Sequence, residues 1–373
     1  MAGQLLVVNA GSSSLKVAVF DNQARVMAAQ VDGIGTPHAR INTVGASPVD
    51  EAWTGDAVTA LRDVADRLKL QCPAAIGHRV VHGGVRLAGP VLIDAAVRRE
   101  LEELVPLAPL HQPASLAGID MAGRLYPGVP QVACFDTAFH HSRGFTRECT
   151  ALPRDYYDAG IRRYGFHGLS YEYLARDPRV AAGRSIAAHL GNGASLCAML
   201  DGKSVDTTMS FSVLDGLVMG TRCGALDPGV ILHLLQEKRM TPDAISDLLY
   251  KQSGLKGLSG ISGDMRDLLE SNEPHAAEAV ECFIESIVRH VCALAGVLGG
   301  IDNLVFTAGI GEHAPVIRER VCRRLEWLGL TFDAAANQQN AERISRDGSR
   351  IQAWVIPTDE EAVIARHMRD VVG

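Results

Sequence analysis

Hydrophobic positions along the chain fall into two kinds of run. Short, nearly continuous apolar stretches at residues 5–9, 17–20, 75–78, 131–135, 186–190, 304–308 and 351–356 read as strands. Longer stretches with helical spacing lie between and after them, at 59–69, 95–107, 276–298 and 361–371. That alternation predicts an α/β fold with mixed sheets. The most apolar helical stretch, 291–301, is interrupted by Gly296, Gly299 and Gly300 and is too short to cross a bilayer, so it reads as a buried helix.

The first two strands are joined by a small, hydroxyl-rich turn that runs from Gly11 through Ser12, Ser13 and Ser14 to Lys16. Gly and Ser let backbone N–H groups and hydroxyls approach phosphate oxygens, and Lys16 adds a compact positive charge. The same composition also suits an ordinary hairpin. The pattern returns from Ser185 to Asp201 around Gly191-Asn192-Gly193. A shift of about 180 residues aligns Gly11 with Gly191, Ala18 with Ala198 and Asp21 with Asp201. The repeat implies a duplicated domain in which two phosphate-binding turns face one cleft.

Length and charge narrow the picture further. At 373 residues the chain predicts two or three domains, and the repeat favours two. A net charge of -7 argues against nucleic acid or an anionic membrane as partner, so cations for an anionic substrate must be placed locally. The eight cysteines show no CxxC pair or metal-ligand spacing, and the start lacks a basic leader, so a reduced cytoplasm is expected.

Three positions suit charge-rich chemistry. Arg79 lies ahead of Gly83-Gly84 and Arg222 lies in Gly220-Thr221-Arg222-Cys223-Gly224, where small neighbours let a planar guanidinium reach an anion. Asp136 closes the strand at 131–135, where ligands gather in open α/β sheets, although a helix N-cap would use the same residue. A competing motif is present too. Gly309-Ile310-Gly311-Glu312-His313-Ala314 follows an apolar run and precedes Asp333, which satisfies the G-x-G-x-x-A dinucleotide pattern of an NAD-linked oxidoreductase. Only about forty residues follow Asp333, too few for the remaining strands of that fold.

Six runs, in order, carry a resemblance. They are residues 8–16 (Val8-Asn9-Ala10-Gly11 onward to Lys16), Gly77-His78-Arg79-Val80-Val81-His82-Gly83-Gly84, Phe135-Asp136-Thr137-Ala138-Phe139-His140, Arg163-Tyr164-Gly165-Phe166-His167-Gly168, His189-Leu190-Gly191-Asn192-Gly193 and Phe306-Thr307-Ala308-Gly309-Ile310-Gly311-Glu312. Together they resemble the acetokinase family, within the wider fold family of actin and the sugar kinases. The resemblance implies two duplicated actin/sugar-kinase-like (ribonuclease H-like) domains with mixed sheets flanked by helices, and an active site in the interdomain cleft. The first domain would span residues 1–138 completed by 361–373, and the second residues 139–360.

The resemblance also implies the chemistry: transfer of the ATP γ-phosphoryl group to acetate, giving acetyl phosphate and ADP, with Mg2+ or its substitute Mn2+. By that likeness Arg79 binds the carboxylate or phosphoryl group, Arg222 stabilises the transition state and His167 donates a hydrogen bond to the transferring group. Asp136 matches the catalytic aspartate. Because acetate is already ionised at neutral pH, Asp136 is expected to orient an arginine or a metal-bound water.

Asn9 and Glu360 match the magnesium positions. Ser12, Ser14 and Lys16, with His189, Leu190, Gly191, Asn192, Gly193, Asp264, Met265, Arg266, Gly309, Ile310, Gly311, Glu312 and His313, match the nucleotide side. Val81, Leu110, Phe166 and Pro228 match a small acyl pocket, with propionate or another short acid as the alternative substrate. Five positions depart from the family: Val85 stands where glutamate is usual, Leu169 and Tyr171 where threonine and histidine are common, and His313 and Asp359 where asparagine is. A homodimer is the implied assembly.

Overall fold

The computed structural model describes residues 3–11, 14–44, 49–109 and 111–373. The chain divides into two compact units, Met1–His141 with Asp359–Gly373, and Ser142–Thr358. The first holds an eight-stranded sheet made of β1 (Leu5–Ala10), β2 (Ser14–Asp21), β3 (Ala24–Asp32), β4 (Arg40–Val44), β5 (Val49–Ala52), β6 (Ala75–Val80), β7 (Val91–Leu92) and β8 (Gln131–Phe135). Their order is β5-β4-β3-β2-β1-β6-β8-β7. The second holds β9 (Arg184–Leu190), β10 (Ala194–Leu200), β11 (Lys203–Thr207), β12 (Asn303–Thr307) and β13 (Gln352–Val355), ordered β11-β10-β9-β12-β13.

The duplication seen in the sequence is a duplication of topology. In the first unit β1 runs antiparallel to β2 and parallel to β6, which is parallel to β8. In the second, β9 runs antiparallel to β10 and parallel to β12, which is parallel to β13. Both hairpins close on a glycine: Gly11 N–H donates to Ser14 O at 2.8 Å, and Gly191 N–H to Gly193 O at 3.1 Å. Leu5, Leu6, Val7 and Val8 of β1 are all buried, as are all five residues of β12. Continuous apolar runs of this kind mark central strands covered on both faces.

Helices begin and end on local chemistry. Helix Ala57–Leu68 starts at a capping box, in which Thr59 N–H donates to Asp56 Oδ1 at 2.9 Å and Asp56 N–H to Thr59 Oγ1 at 3.2 Å. Helix Pro274–Leu298 opens on its proline and closes at Gly299, whose φ of 69° is the left-handed cap glycine allows. It is amphipathic rather than buried all round, with Phe283, Ile284, Ile287, Val291 and Leu294 forming one apolar stripe and Ala293 and Gly296 exposed. The helix expected over 95–107 stops at Glu103, and a short 3-10 turn, Val105–Leu107, takes over because Pro106 cannot donate to the preceding turn. The strand expected over 304–308 stops at Thr307, since Ala308 turns to a φ of 63° and opens a helix.

The C-terminal helix, Glu360–Val372, belongs to the first unit and packs on β1 and β6 through buried Val363, Ile364 and Met368. Gly77 of β6 permits this. A Cβ there would stand 2.5 Å from both Ile364 Cγ2 and Met368 Sδ. Gly77→Val is therefore expected to destabilise the protein by about 1–3 kcal/mol, the usual cost of overpacking a dense core. A denaturation midpoint unchanged from the wild type would show that the helix does not depend on this close approach.

Candidate active site

In the first unit, four polar residues from distant parts of the chain converge at the C-terminal ends of parallel strands β1, β6 and β8. Arg79, near the end of β6, donates Nε to Asp136 Oδ1 at 3.1 Å and Nη2 to Asp136 Oδ2 at 2.7 Å. This two-pronged pair is the strong geometry for a guanidinium and a carboxylate. Asp136 follows β8 and is only 1% exposed; its side chain faces Arg79 rather than capping a helix. Arg79 Nη1 also lies 3.5 Å from Asn9 Oδ1, and its Nε 3.6 Å from Glu360 Oε2. Burial works against the charge on Arg79, but Asp136 and then Glu360 outweigh it, and the guanidinium is held more firmly protonated than usual.

Glu360 is the first residue of the C-terminal helix. Burial pushes its carboxyl above the ordinary glutamate value, against the opposing pull of Arg79 and, more weakly, Lys16. Beside it, Asp359 caps the helix by accepting from Ala362 N–H at 2.9 Å, and Arg25 pairs with both Asp359 and, at 3.5 Å, Glu361. Lys16 is exposed on β2, opposite Asn9 in register. At Gly11 a Cβ would meet Ser14 Oγ at 2.9 Å, which explains glycine in this turn. Ser12 and Leu110 lie outside the described residues.

The second unit gathers a different set. His167 precedes helix Gly168–Leu174 in the left-handed region, with φ 57°. A non-glycine residue held there costs energy, which the surrounding contacts must offset. Its ring stacks on His189 with centroids 4.1 Å apart, and His189 Nδ1 lies 2.9 Å from Ser170 Oγ. A Cβ at Gly193 would stand 2.9 Å from Arg222 Nη2 and 3.4 Å from His167 Nε2, so the turn after β9 passes close to both. Arg222 is steadied by donating to Val213 O at 3.0 Å, and the Asn192 carbonyl accepts from Gly220 N–H at 3.0 Å. His167, His189, Asn192, Gly193 and Arg222 thus form one cluster.

The remaining expected residues divide. Asp264 caps helix Met265–Glu270 and pairs with exposed Arg266 at 2.6 Å, whereas Met265 and Leu190 are buried in the core. Glu312 caps helix Ala308–His313, accepting from Ala308 N–H at 2.8 Å, and His313 is 74% exposed beside it. Gly311 is buried, while Gly309 is exposed. Val81 and Phe166 are buried, and Pro228 is exposed at the start of helix Pro228–Gln236. The dinucleotide reading fails here: a five-stranded sheet with antiparallel β10 and β11 is not that fold, and Asp333 caps helix Ala334–Gln338.

Sequence reasoning missed Ser195, Arg25 and Arg318. Arg318 is fully buried and donates to Gly311 O, Glu312 O and Asn340 Oδ1 at 2.9, 2.8 and 2.7 Å, anchoring the turn around Gly311. Nothing in the local sequence marks Ser195 or Arg25, because their partners are remote, and Arg318 looks like an ordinary helical charge until the turn folds back over it.

Residues 4–366 match the family model described as the acetokinase family. The chain belongs to the acetokinase family. It is 49% identical to an acetate kinase of Rhodopseudomonas palustris, covering 99% of this chain and 98% of that one. It is 50% identical to one of Rhizobium meliloti, with 97% of both covered. Among solved structures, a propionate kinase of Francisella tularensis superposes with a TM-score of 0.92 at 35% identity, and an acetate kinase of Porphyromonas gingivalis with 0.87 at 34%, each covering 100% of both chains. The acetokinase family comprises phosphotransferases with a carboxyl group as acceptor and ATP as substrate.

The raised Glu360 pKa has a stability consequence. The folded state binds a proton at Glu360 more tightly than the unfolded chain, so this contribution is complete below about pH 4.5 and is lost as pH rises through the folded value. Glu360→Gln is therefore expected to melt higher than the wild type at pH 8 without metal, by about 2–4 °C for each kcal/mol gained, with the gap closing toward pH 4.5. A variant that melts lower at pH 8 would show that the Arg79 contact outweighs burial.

Proposed function

We propose that this chain is an acetate kinase, transferring the ATP γ-phosphoryl group reversibly to acetate by direct in-line displacement. The observation that carries this reading is Arg79, held two-pronged by buried Asp136 where three parallel strands end, in a chain half-identical to acetate kinases. Phosphoryl transfer needs positioning and placed charge more than covalent chemistry. Arg79 takes the carboxylate or phosphoryl oxygens, and Asp136 fixes its plane. Acetate has no proton to lose near neutral pH, since carboxyl groups of its kind ionise near pH 4.3.

Arg222 and His167 then donate to the equatorial oxygens, where charge grows in the transition state; single donors of this kind are worth about 10²–10³ in rate. Asn9 Oδ1 and Glu360 fit a magnesium ion. Both are hard oxygen donors flanking Arg79, and a cation that keeps most of its water needs few protein ligands. When bound, Mg2+, or Mn2+ in its place, supplies further neutralisation of the phosphates. Ser12, Ser14, Lys16 and residues His189–Gly193, with Asp264, Met265, Arg266 and residues Gly309–His313, are assigned to the nucleotide.

The likeness to a propionate kinase makes propionate the second substrate to test. Val81 and Phe166 are assigned to the acyl pocket together with Leu110 and Pro228. No described helix is long and apolar enough to cross a membrane and all eight cysteines are free, which supports a cytoplasmic setting. The apolar helix Pro228–Gln236 has no buried residue, with Val230 and Leu232 40% and 53% exposed, which supports a homodimer. A single-chain mass in sedimentation velocity would contradict that assembly.

A hydroxamate assay with ATP, Mg2+ and acids of increasing length tests the activity. Acetate is expected to give the highest kcat/KM, falling about tenfold or more for each added methylene. Equal values for acetate and propionate would remove the acetate assignment, and no hydroxamate from any acid would remove the acyl-kinase reading.

A further inference from the structure

We propose that Tyr171 and Ser195 act as positioning residues that fix the tautomer of His167, so that Nδ1 accepts a hydrogen bond and Nε2 carries the proton. The inference deepens the function proposed above and rests on its assignment of His167 as a donor to the transferring group. A neutral imidazole has one donor and one acceptor nitrogen, and the partner of one nitrogen decides the state of the other. His167 Nδ1 lies 2.9 Å from Ser195 Oγ, and Ser195 Oγ lies 2.5 Å from the Tyr171 hydroxyl. A serine hydroxyl has a single proton. If Tyr171 donates to Ser195, that proton is left for Nδ1, and Nε2 must hold the ring's own.

Relative acidity sets the direction of the chain. A phenol is a far stronger acid than an alcohol, so between Tyr171 and Ser195 the phenol is the better donor. The backbone of His189 also hydrogen-bonds the Tyr171 hydroxyl, which holds the phenol in place beside Ser195. The β9–β10 register sets His189 directly opposite Ser195, which brings these groups together. Tyr171 and Ser195 are fully buried, so water does not compete for their bonds. Burial also raises the phenol well above its usual range, keeping it protonated.

Orientation is fixed separately. The stack on His189 and the left-handed backbone at His167 hold the imidazole plane, with Nε2 on the side of Gly193 and Arg222. Tyr171 stands where the family commonly has histidine, a residue that can donate or accept. A buried tyrosine donor gives the chain of bonds one polarity.

Nitrogen-15 spectra of histidine-labelled protein at pH 8 test this, with the His167 signals assigned by their loss in His167→Asn. The wild type is expected to show a bare Nδ1 and a protonated Nε2. Ser195→Ala should mix the tautomers and lower kcat about three- to tenfold, the effect of one neutral hydrogen bond, with both KM values within twofold. Tyr171→Phe should give a smaller shift in the same direction, and Ser195→Cys, a weak donor, should recover part of the loss. A wild-type ring protonated at Nδ1, or a Ser195→Ala ring with unchanged tautomer, would overturn the proposal. If Ser195→Ala does not fold, the wild-type spectrum decides alone. The expected tautomer in a protein that forms no acyl phosphate would remove the proposed function and leave this inference standing.

Discussion

The polar cluster at the strand ends of the first unit depends on one buried ion pair. Asp136 is almost wholly shielded from water, and the two N–H bonds of Arg79 that meet it offset the cost of burying a carboxylate there. Satisfying Asp136 points the guanidinium so that its remaining edge faces Asn9 and its Nε side approaches Glu360. Replacing the arginine with lysine would keep the charge and lose the plane. The parallel pairing of β1, β6 and β8 is what delivers these residues to one place, since their carboxyl ends all open in the same direction.

The central strands and the repeat were readable because they are dense and local. The apolar runs of β1, β6, β8, β9 and β12 stand out against their surroundings, and the glycine turns after β1 and β9 align by simple counting. The outer strands were not. β5 is largely exposed and β3 is exposed over its first three residues, and neither shows a clean apolar alternation, so pairing with a neighbour is what makes them strands. The roles implied for Asn9, Arg79, Asp136 and Glu360 came from family likeness, while the bonds among them depend on chain separations that no local pattern encodes. Ser195 illustrates the limit: its importance comes entirely from Tyr171 and His167, which fold up against it.

The departures from the family pattern have partners of their own. Asp359 caps the C-terminal helix as an asparagine would, but its charge also recruits Arg25 from the β2–β3 hairpin. Val85, in place of a glutamate, keeps its backbone carbonyl bonded to His141 at 3.0 Å. Leu169 is simply core. Of these residues only Asp359 stands next to the polar cluster, through its neighbour Glu360, and Arg79, Asp136 and Asn9 hold one another without them.

The division of the chain between the two units has a consequence for synthesis. The second unit is one continuous segment, Ser142–Thr358, whereas the first begins at the amino terminus and is finished by Asp359–Gly373. A ribosome therefore releases the elements of the first sheet long before the helix that covers Gly77 exists. The amino-terminal unit must wait, with an apolar face of β1 and β6 uncovered, while the later segment can already be complete. The order of folding is then opposite to the order of translation, and the exposed sheet is the point at which a nascent chain most needs protection from aggregation.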